Sequence, residues 1–254
     1  DTSGDRLRHA VSARCRTGPE AEGTIQMNRF RDRYEAGRQL GEHLRTRYGS
    51  LPNVLVLGLP RGGVPVAAEV ASALGAPLDV FLVRKLGVPG QEELAMGAIA
   101  EGGIRVMNPS VLAVVDVDGE TIERTARREQ IELDRRAVDY RGRRRSPDVG
   151  GRTVILVDDG LATGSTMRAA AAAIRKQYPD RLIVAVPVAA RETCDILSAE
   201  VDAVECLRMP EPFHAVGLWY EDFEQTTDEE VRELLDRAWS EERNHPDAAT
   251  GGER

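Results

Sequence analysis

Two adjacent carboxylates, Asp158 and Asp159, stand at the end of the apolar run VILV and directly before the small-residue stretch GLATGST. A short continuous apolar run reads as a strand covered on both faces. Open α/β sheets hold ligands at the carboxyl ends of such strands. The stretch Gly160, Leu161, Ala162, Thr163, Gly164, Ser165, Thr166 then enters alanine-rich helical sequence. First-turn amides of a helix lack internal partners, and the helix dipole favours an anion there. Thr163, Ser165 and Thr166 add hydroxyl donors, and Gly164 lets the backbone come close. Carboxylates repel an anion, so they must address something else, such as sugar hydroxyls or a divalent cation. The ligand implied is a sugar phosphate, with its phosphate on the helix and its diol on the aspartates. The plainer reading is a solvated strand end before a capped helix.

The motif differs from better-known phosphate loops. It has no lysine and is one residue short of G-x-x-x-x-G-K-[ST], and no G-x-G-x-x-G follows any strand. A second loop, Pro60-Arg61-Gly62-Gly63, closes the apolar run NVLVLGL at 53–59 and opens a helix ending at Gly75. Alone it is consistent with a tight turn. LDVFLVRK follows as a second buried strand ending in Arg84 and Lys85, cations near that loop.

The segment 86–103 carries five glycines, one proline and the run Gln91-Glu92-Glu93. It reads either as a mobile functional loop or as a pair of irregular strands. Phe30, Tyr34, Gly37, Leu40 and Leu44 share a face at helical spacing before it, and a charged helix spans roughly 119–140 after it. The basic run Arg141, Arg143, Arg144, Arg145 reads with that helix as a hood or dimer surface, since such runs are usually solvated. Strand VILV, helix 165–178, strand RLIVAVPV, helix 191–199, strand VDAVECLRM and a final helix capped from Thr227 complete the chain. This rhythm predicts an α/β fold: an open, mainly parallel twisted sheet flanked by helices, with a small hood of variable segments.

At this point VILVDDGLATGST is similar to the phosphoribosyl pyrophosphate signature of the type I phosphoribosyltransferases, and the likeness runs from about Phe30 to Trp239. It resembles most a bacterial group whose acceptors are unassigned. The resemblance implies Mg²⁺-dependent transfer of a 5-phosphoribosyl group from phosphoribosyl pyrophosphate to a nitrogenous small-molecule acceptor, in a homodimer. By that resemblance, Asp158 and Asp159 hold the ribose hydroxyls and meet the metal mostly through donor and water, while residues 160–166 hold the 5′-phosphate. GLPRGGVPVA resembles the family's pyrophosphate loop. Pro60, Arg61, Gly62 and Gly63, with Arg84 and Lys85, would face the leaving group. The family often has a non-proline cis peptide in this loop, which the glycines permit. Segment 86–103 falls at the family's mobile loop, where Glu92 or Glu93 would stabilise the cationic transition state, assist the acceptor, or be merely solvated. Asp158, Asp159, Arg61 and Lys85 are the expected catalytic set.

Departures from the pattern limit the acceptor. Hypoxanthine-guanine enzymes usually carry an acidic base contact where this chain has Ala162. After the last core strand, Phe213, His214, Val216, Trp219 and Tyr220 would either stack on a planar acceptor or anchor the final helix, with His214 read as structural. Rivals of another class are a donor- or nucleotide-sensing regulator on the same fold, and a phosphorylase or hydrolase of a ribose phosphate.

Bulk composition agrees with this picture. The chain has 254 residues, 41% hydrophobic and 30% charged, enough for one core. Only 4% are aromatic and the net charge is −8, which argues against nucleic acid or anionic membrane as partner. Three scattered cysteines suit a reducing cytoplasm. One domain is expected over 28–242, with disordered tails at 1–27 and 243–254. The first tail lacks a signal-peptide centre and carries acids unsuited to a transit peptide, so Met27 is one reading of the natural start.

Overall fold

The computed structural model describes residues 16–17 and 29–244. Strands β1 (Arg16–Thr17), β2 (Val54–Gly58), β3 (Leu78–Val80), β7 (Thr153–Val157), β8 (Arg181–Val188) and β9 (Ala203–Arg208) form one sheet in the order β1-β9-β8-β7-β2-β3. Every pair in it is parallel. Alternate strand residues feed two cores. Val56, Ile155, Val157, Ile183 and Ala185 pack with helices α1 (Arg33–Tyr48), α2 (Gly63–Leu74) and α7 (Asp228–Asn244). Leu55, Leu57, Val154, Leu156 and Val184 pack with α5 (Ser165–Arg175) and α6 (Arg191–Ser198). Burial on both faces is why these strands read as unbroken apolar runs.

Between β3 and β7 the chain builds a second layer. Strands β4 (Val83–Val88), β5 (Gln91–Ala100) and β6 (Ile104–Met107) form an antiparallel sheet, followed by a short helix α3 (Pro109–Leu112) and the long α4 (Gly119–Arg141). The glycine-rich segment therefore takes the second form its composition allowed, a pair of strands. Gly90 turns the hairpin with φ +80, and the register shifts at Gly87. Sheet order corrects the expectation of one strand over LDVFLVRK. It breaks after Val80 because Phe81 and Leu82 bury into opposite cores, carrying the chain out of the parallel sheet.

Two other expectations change. Phe30 lies before α1, bridged to Tyr220, because the Asp32 carboxylate accepts the Glu35 amide at 2.7 Å and caps the helix there. Arg141 is buried rather than solvated: its Nε donates to Asp79 at 2.6 Å and its Nη1 to Glu101 at 2.7 Å. It ties α4 to β3 and to the end of the hairpin. Burial is the main influence on Asp79 and pushes its carboxyl up, with Arg141 opposing. The expected tails fall outside the described residues, apart from Arg16–Thr17, which pair with β9, and residues 243–244, which end α7. Cys194 and Cys206 are both buried. Among the described residues no helix is long and apolar enough to cross a membrane.

Removing one partner of a buried ion pair strands the other charge. Arg141→Met is therefore expected to cost about 3–5 kcal/mol in urea unfolding, whereas exposed Arg145→Met should stay within about 0.5 kcal/mol. Equal midpoints for the two would remove the anchoring role.

Candidate active site

Strand order reverses between β2 and β7: the chain continues to β3 on one side and to β8 and β9 on the other. Loops leaving the carboxyl ends of β2 and β7 must therefore diverge, and the crevice between them is where ligands bind in open sheets. Gly58 pairs with Val157, and the Leu59 amide donates to the Val157 carbonyl at 2.9 Å. That register sets the Pro60–Gly63 turn against Asp158 and Asp159. The Pro60–Arg61 peptide is cis.

Both glycines are needed for this approach. A Cβ on Gly63 would lie 2.8 Å from the Val157 carbonyl oxygen and 2.9 Å from the Asp158 Cα. One on Gly62 would lie 2.1 Å from Asp159 Oδ2. Asp158 sits beside Gly63, and its Oδ1 accepts the Asp159 amide at 2.9 Å. Asp159 faces outward and accepts from Arg33 Nε at 2.8 Å. Burial pushes both carboxyls above the usual range; the charge of Asp159 raises Asp158 further, while Arg33 pulls Asp159 back down.

A cavity of about 610 Å³ opens over Asp159. Pro60, Arg61 and Gly62 form one wall, and Arg135, Arg136, Asp139 and Tyr140 of α4 form another. Arg33, Val216, Phe223, Gln225, Thr226 and Asp228 close it. Arg33 is held on three sides. Beyond Asp159, its Nη1 donates to the Glu224 carbonyl at 2.6 Å, and its guanidinium lies 3.9 Å from the Phe223 ring centre. Arg61 is 4.0 Å from Asp228, whose other oxygen accepts the Tyr140 hydroxyl at 2.5 Å.

The loop into α5 lies next to this cavity. Leu161 is buried and bridges to Ala189; Ala162, Thr163 and Thr166 are exposed. Gly160 packs against Val216, where a Cβ would come within 2.5 Å of its Cγ1. Gly164 has φ +65, and a Cβ there would meet Thr193 at 2.5 Å. The loop is thus fixed from beneath while its upper surface and helix amides stay open. Thr166 shares a narrow hollow of about 30 Å³ with Pro60, Arg84, Leu133 and Arg136. Arg84 is held in it by Glu129 of α4 at 2.6 Å.

A family model for the phosphoribosyl transferase domain matches residues 34–210. The chain belongs to the type I phosphoribosyltransferase family. By classification it falls among the phosphoribosyltransferases, a kind of glycosyltransferase. Two curated proteins from Mycobacterium tuberculosis strains, each named "putative phosphoribosyl transferase", are 47% identical over 227 residues. That match covers 89% of this chain and 49% of each relative, so the chain spans about half their length. The crystal structure of TT1426 from Thermus thermophilus is 47% identical with a TM-score of 0.74, covering 82% of this chain and 97% of that one.

Within this phosphoribosyltransferase fold, the sequence-predicted residues divide. Pro60, Arg61, Gly62, Gly63, Asp158 and Asp159 come together, with residues 160–166 beside them. Arg84 and Lys85 are separated, because successive strand residues face opposite ways. Lys85 lines a different hollow of about 590 Å³, with Ser165 and the outer face of α5. Glu92 is exposed and accepts the Gly90 amide in its own hairpin turn at 3.2 Å, away from the cavity wall; Glu93 lies in β5. Of the acceptor candidates, Val216 lines the cavity. Phe213 and Trp219 pack around Phe30 and Tyr220, and His214 is exposed. Arg33, Phe223 and the α4 arginines were missed; only Phe223 had a signal, as one more aromatic after the last core strand.

A backbone clash is harder to relieve than one with a side-chain end. Gly63→Ala is expected to lose about 1–3 kcal/mol in chemical unfolding, since it would meet the Val157 carbonyl and the Asp158 Cα. A wild-type midpoint for Gly63→Ala would contradict the close approach of the two loops.

Proposed function

We propose that this chain uses 5-phosphoribosyl 1-pyrophosphate with Mg²⁺ to transfer the phosphoribosyl group to a nitrogenous acceptor, releasing pyrophosphate, within one domain over 28–242. The observation that carries this reading is the meeting of three features at the β2/β7 reversal. They are the aspartate pair, the glycine turn pressed against it, and the open amide loop of α5.

Each feature has a distinct task. Asp159, supported by Asp158, accepts hydrogen bonds from the ribose hydroxyls. Thr163, Ser165, Thr166 and the first-turn amides of α5 take the 5′-phosphate. Arg61 and the Gly62 amide oppose charge developing on the departing pyrophosphate, with Arg84 reaching it through the hollow shared with Thr166, while the Gly63 amide is already taken by the Leu59 carbonyl at 3.0 Å. The wall from α4 and the 216–228 segment limits water at the cationic ribosyl centre. Among the described residues no three His, Cys, Asp or Glu side chains converge as a metal cage. Two neighbouring carboxylates plus donor phosphates suit Mg²⁺, which keeps waters and favours phosphate oxygens. When bound, the ion would neutralise pyrophosphate charge, with Asp158 and Asp159 meeting it largely through water and donor.

The test is a panel of acceptors with donor and Mg²⁺, read by pyrophosphate release. Release without acceptor would mark a hydrolase, and donor binding without any turnover would mark a sensor. Calorimetry on Asp158→Asn/Asp159→Asn should lose donor binding; unchanged affinity would end the assignment.

A second expectation concerns stability of the donor-free, cation-free chain. Asp158 has its folded pKa raised above the unfolded value of about 3.9. Its contribution is fully present below that value and is lost as pH rises through the folded pKa. Asp158→Asn keeps the Oδ1 acceptor and avoids that loss. Its Tm should exceed wild type by a few degrees at pH 8, and the gap should close toward pH 4. A lower Tm at pH 8 would show that the charge is not a burden on the fold.

A further inference from the structure

The glycine-rich hairpin, residues 86–103, carries Glu92, Glu93 and Glu101 but no lysine or arginine. Any cation closing over a bound polyphosphate must come from outside that segment, as Arg84 at the start of β4 does. α4 overhangs the same space. Its Arg136 and Pro60 are the two residues common to the cavity over Asp159 and to the narrow hollow beside Arg84 and Thr166. Arg136 thus bridges the pyrophosphate turn and the α5 loop.

The state of its guanidinium matters. Nε donates to Glu132 at 3.0 Å, one helical turn back. Its two Nη groups have no partner among the described residues, and the side chain is 41% exposed. Neighbouring Arg135 is different: its Nε and Nη2 go to Glu132 and its Nη1 to Asp139. Arg136 alone of the two presents unpaired Nη donors, which suit a phosphate edge.

The geometry points to Arg136 as a donor-binding residue that α4 lends to the site, contacting the pyrophosphate of phosphoribosyl pyrophosphate together with Arg61 and Arg84. The inference rests on the proposed function and extends it to the source of the cation that covers the leaving group. The plainer view is a surface arginine in an i,i+4 pair with Glu132, worth only a few tenths of a kcal/mol to the helix.

Calorimetry with Mg²⁺ separates the two, using phosphoribosyl pyrophosphate, inorganic pyrophosphate and ribose 5-phosphate as probes. Arg136→Gln should weaken the first two by about tenfold or more, leave ribose 5-phosphate within about twofold, and be partly rescued in Arg136→Lys. Arg127→Gln, the same charge change at an exposed position of α4, should leave all three unchanged. Wild-type affinities in Arg136→Gln would overturn the inference. Equal weakening of ribose 5-phosphate would overturn it too, by moving the contact to the 5′-phosphate or to general loss of α4. If wild type binds pyrophosphate through Arg136 but not the phosphoribosyl donor, the proposed function fails while the polyphosphate contact stands. Binding of neither probe by wild type would overturn both.

Discussion

Two carboxylates on successive residues, drawn out of water at the end of a buried strand, repel each other and lose hydration. Much of the architecture around the cavity answers that one constraint. The Asp159 amide donates to Asp158, and Arg33 supplies a cation to Asp159 at 2.8 Å. Arg33 in turn needs a fixed position, which it gets from the Glu224 carbonyl and the Phe223 ring. The Tyr220 hydroxyl holds the Asp159 carbonyl at 2.6 Å, and Tyr220 packs between Phe30 and Phe223. A pair of acids just past the end of β7 therefore dictates what the first residue of α1 and the segment before α7 must be. Segments 191 residues apart in sequence meet because both serve the same charge.

The second layer depends on a similar logic carried out by α4. Arg141 draws its C-terminal end down onto Asp79 and Glu101, and Tyr140 reaches Asp228 at the start of α7. Glu129 holds Arg84. One helix thus fixes the hairpin sheet, the cation beside the α5 loop and the far wall of the cavity. A buried ion pair stabilises less than its Coulomb attraction suggests, since two charges must be desolvated. Its stronger effect is on geometry, because Arg141 allows few ways for α4 to lie.

The parallel sheet was legible in the sequence because its signals are local. Unbroken runs such as VILV and RLIVAVPV require cover on both faces, and the alternation of their residues between two cores bears that out. The aspartate pair and GLATGST were legible for the same reason: strand, loop and helix are contiguous. The hairpin was not, since glycines at 87, 90, 97, 102 and 103 suit a loop as well as a bulged, closely packed pair of strands. Arg33 was invisible because its partner lies 126 residues away and nothing at short range marks it. Arg141 looked like part of a solvated basic run; only the tertiary position of Asp79 and Glu101 distinguishes it from Arg143 and Arg145. Phe213 and Trp219 went to the core rather than the cavity, where Phe30 and Tyr220 were waiting for cover.

The cavity's arginines are graded in how firmly they are held, and the grading has a physical consequence. Arg33 is 2.8 Å from Asp159 and Arg135 is 2.6 Å from Asp139, whereas Arg61 is 4.0 Å from Asp228. Coulomb attraction falls with distance and, for partly exposed groups, is screened by water and salt. At 4.0 Å the Arg61–Asp228 link is the longest of the three and so the easiest to exchange. It is also the arginine within the glycine turn. A polyanion entering there would displace a weak contact and leave the firm ones in place. The tight Arg33–Asp159 pair holds the aspartate side, the Arg135–Asp139 pair stays within α4, and the loose pair leaves Arg61 the more readily drawn away.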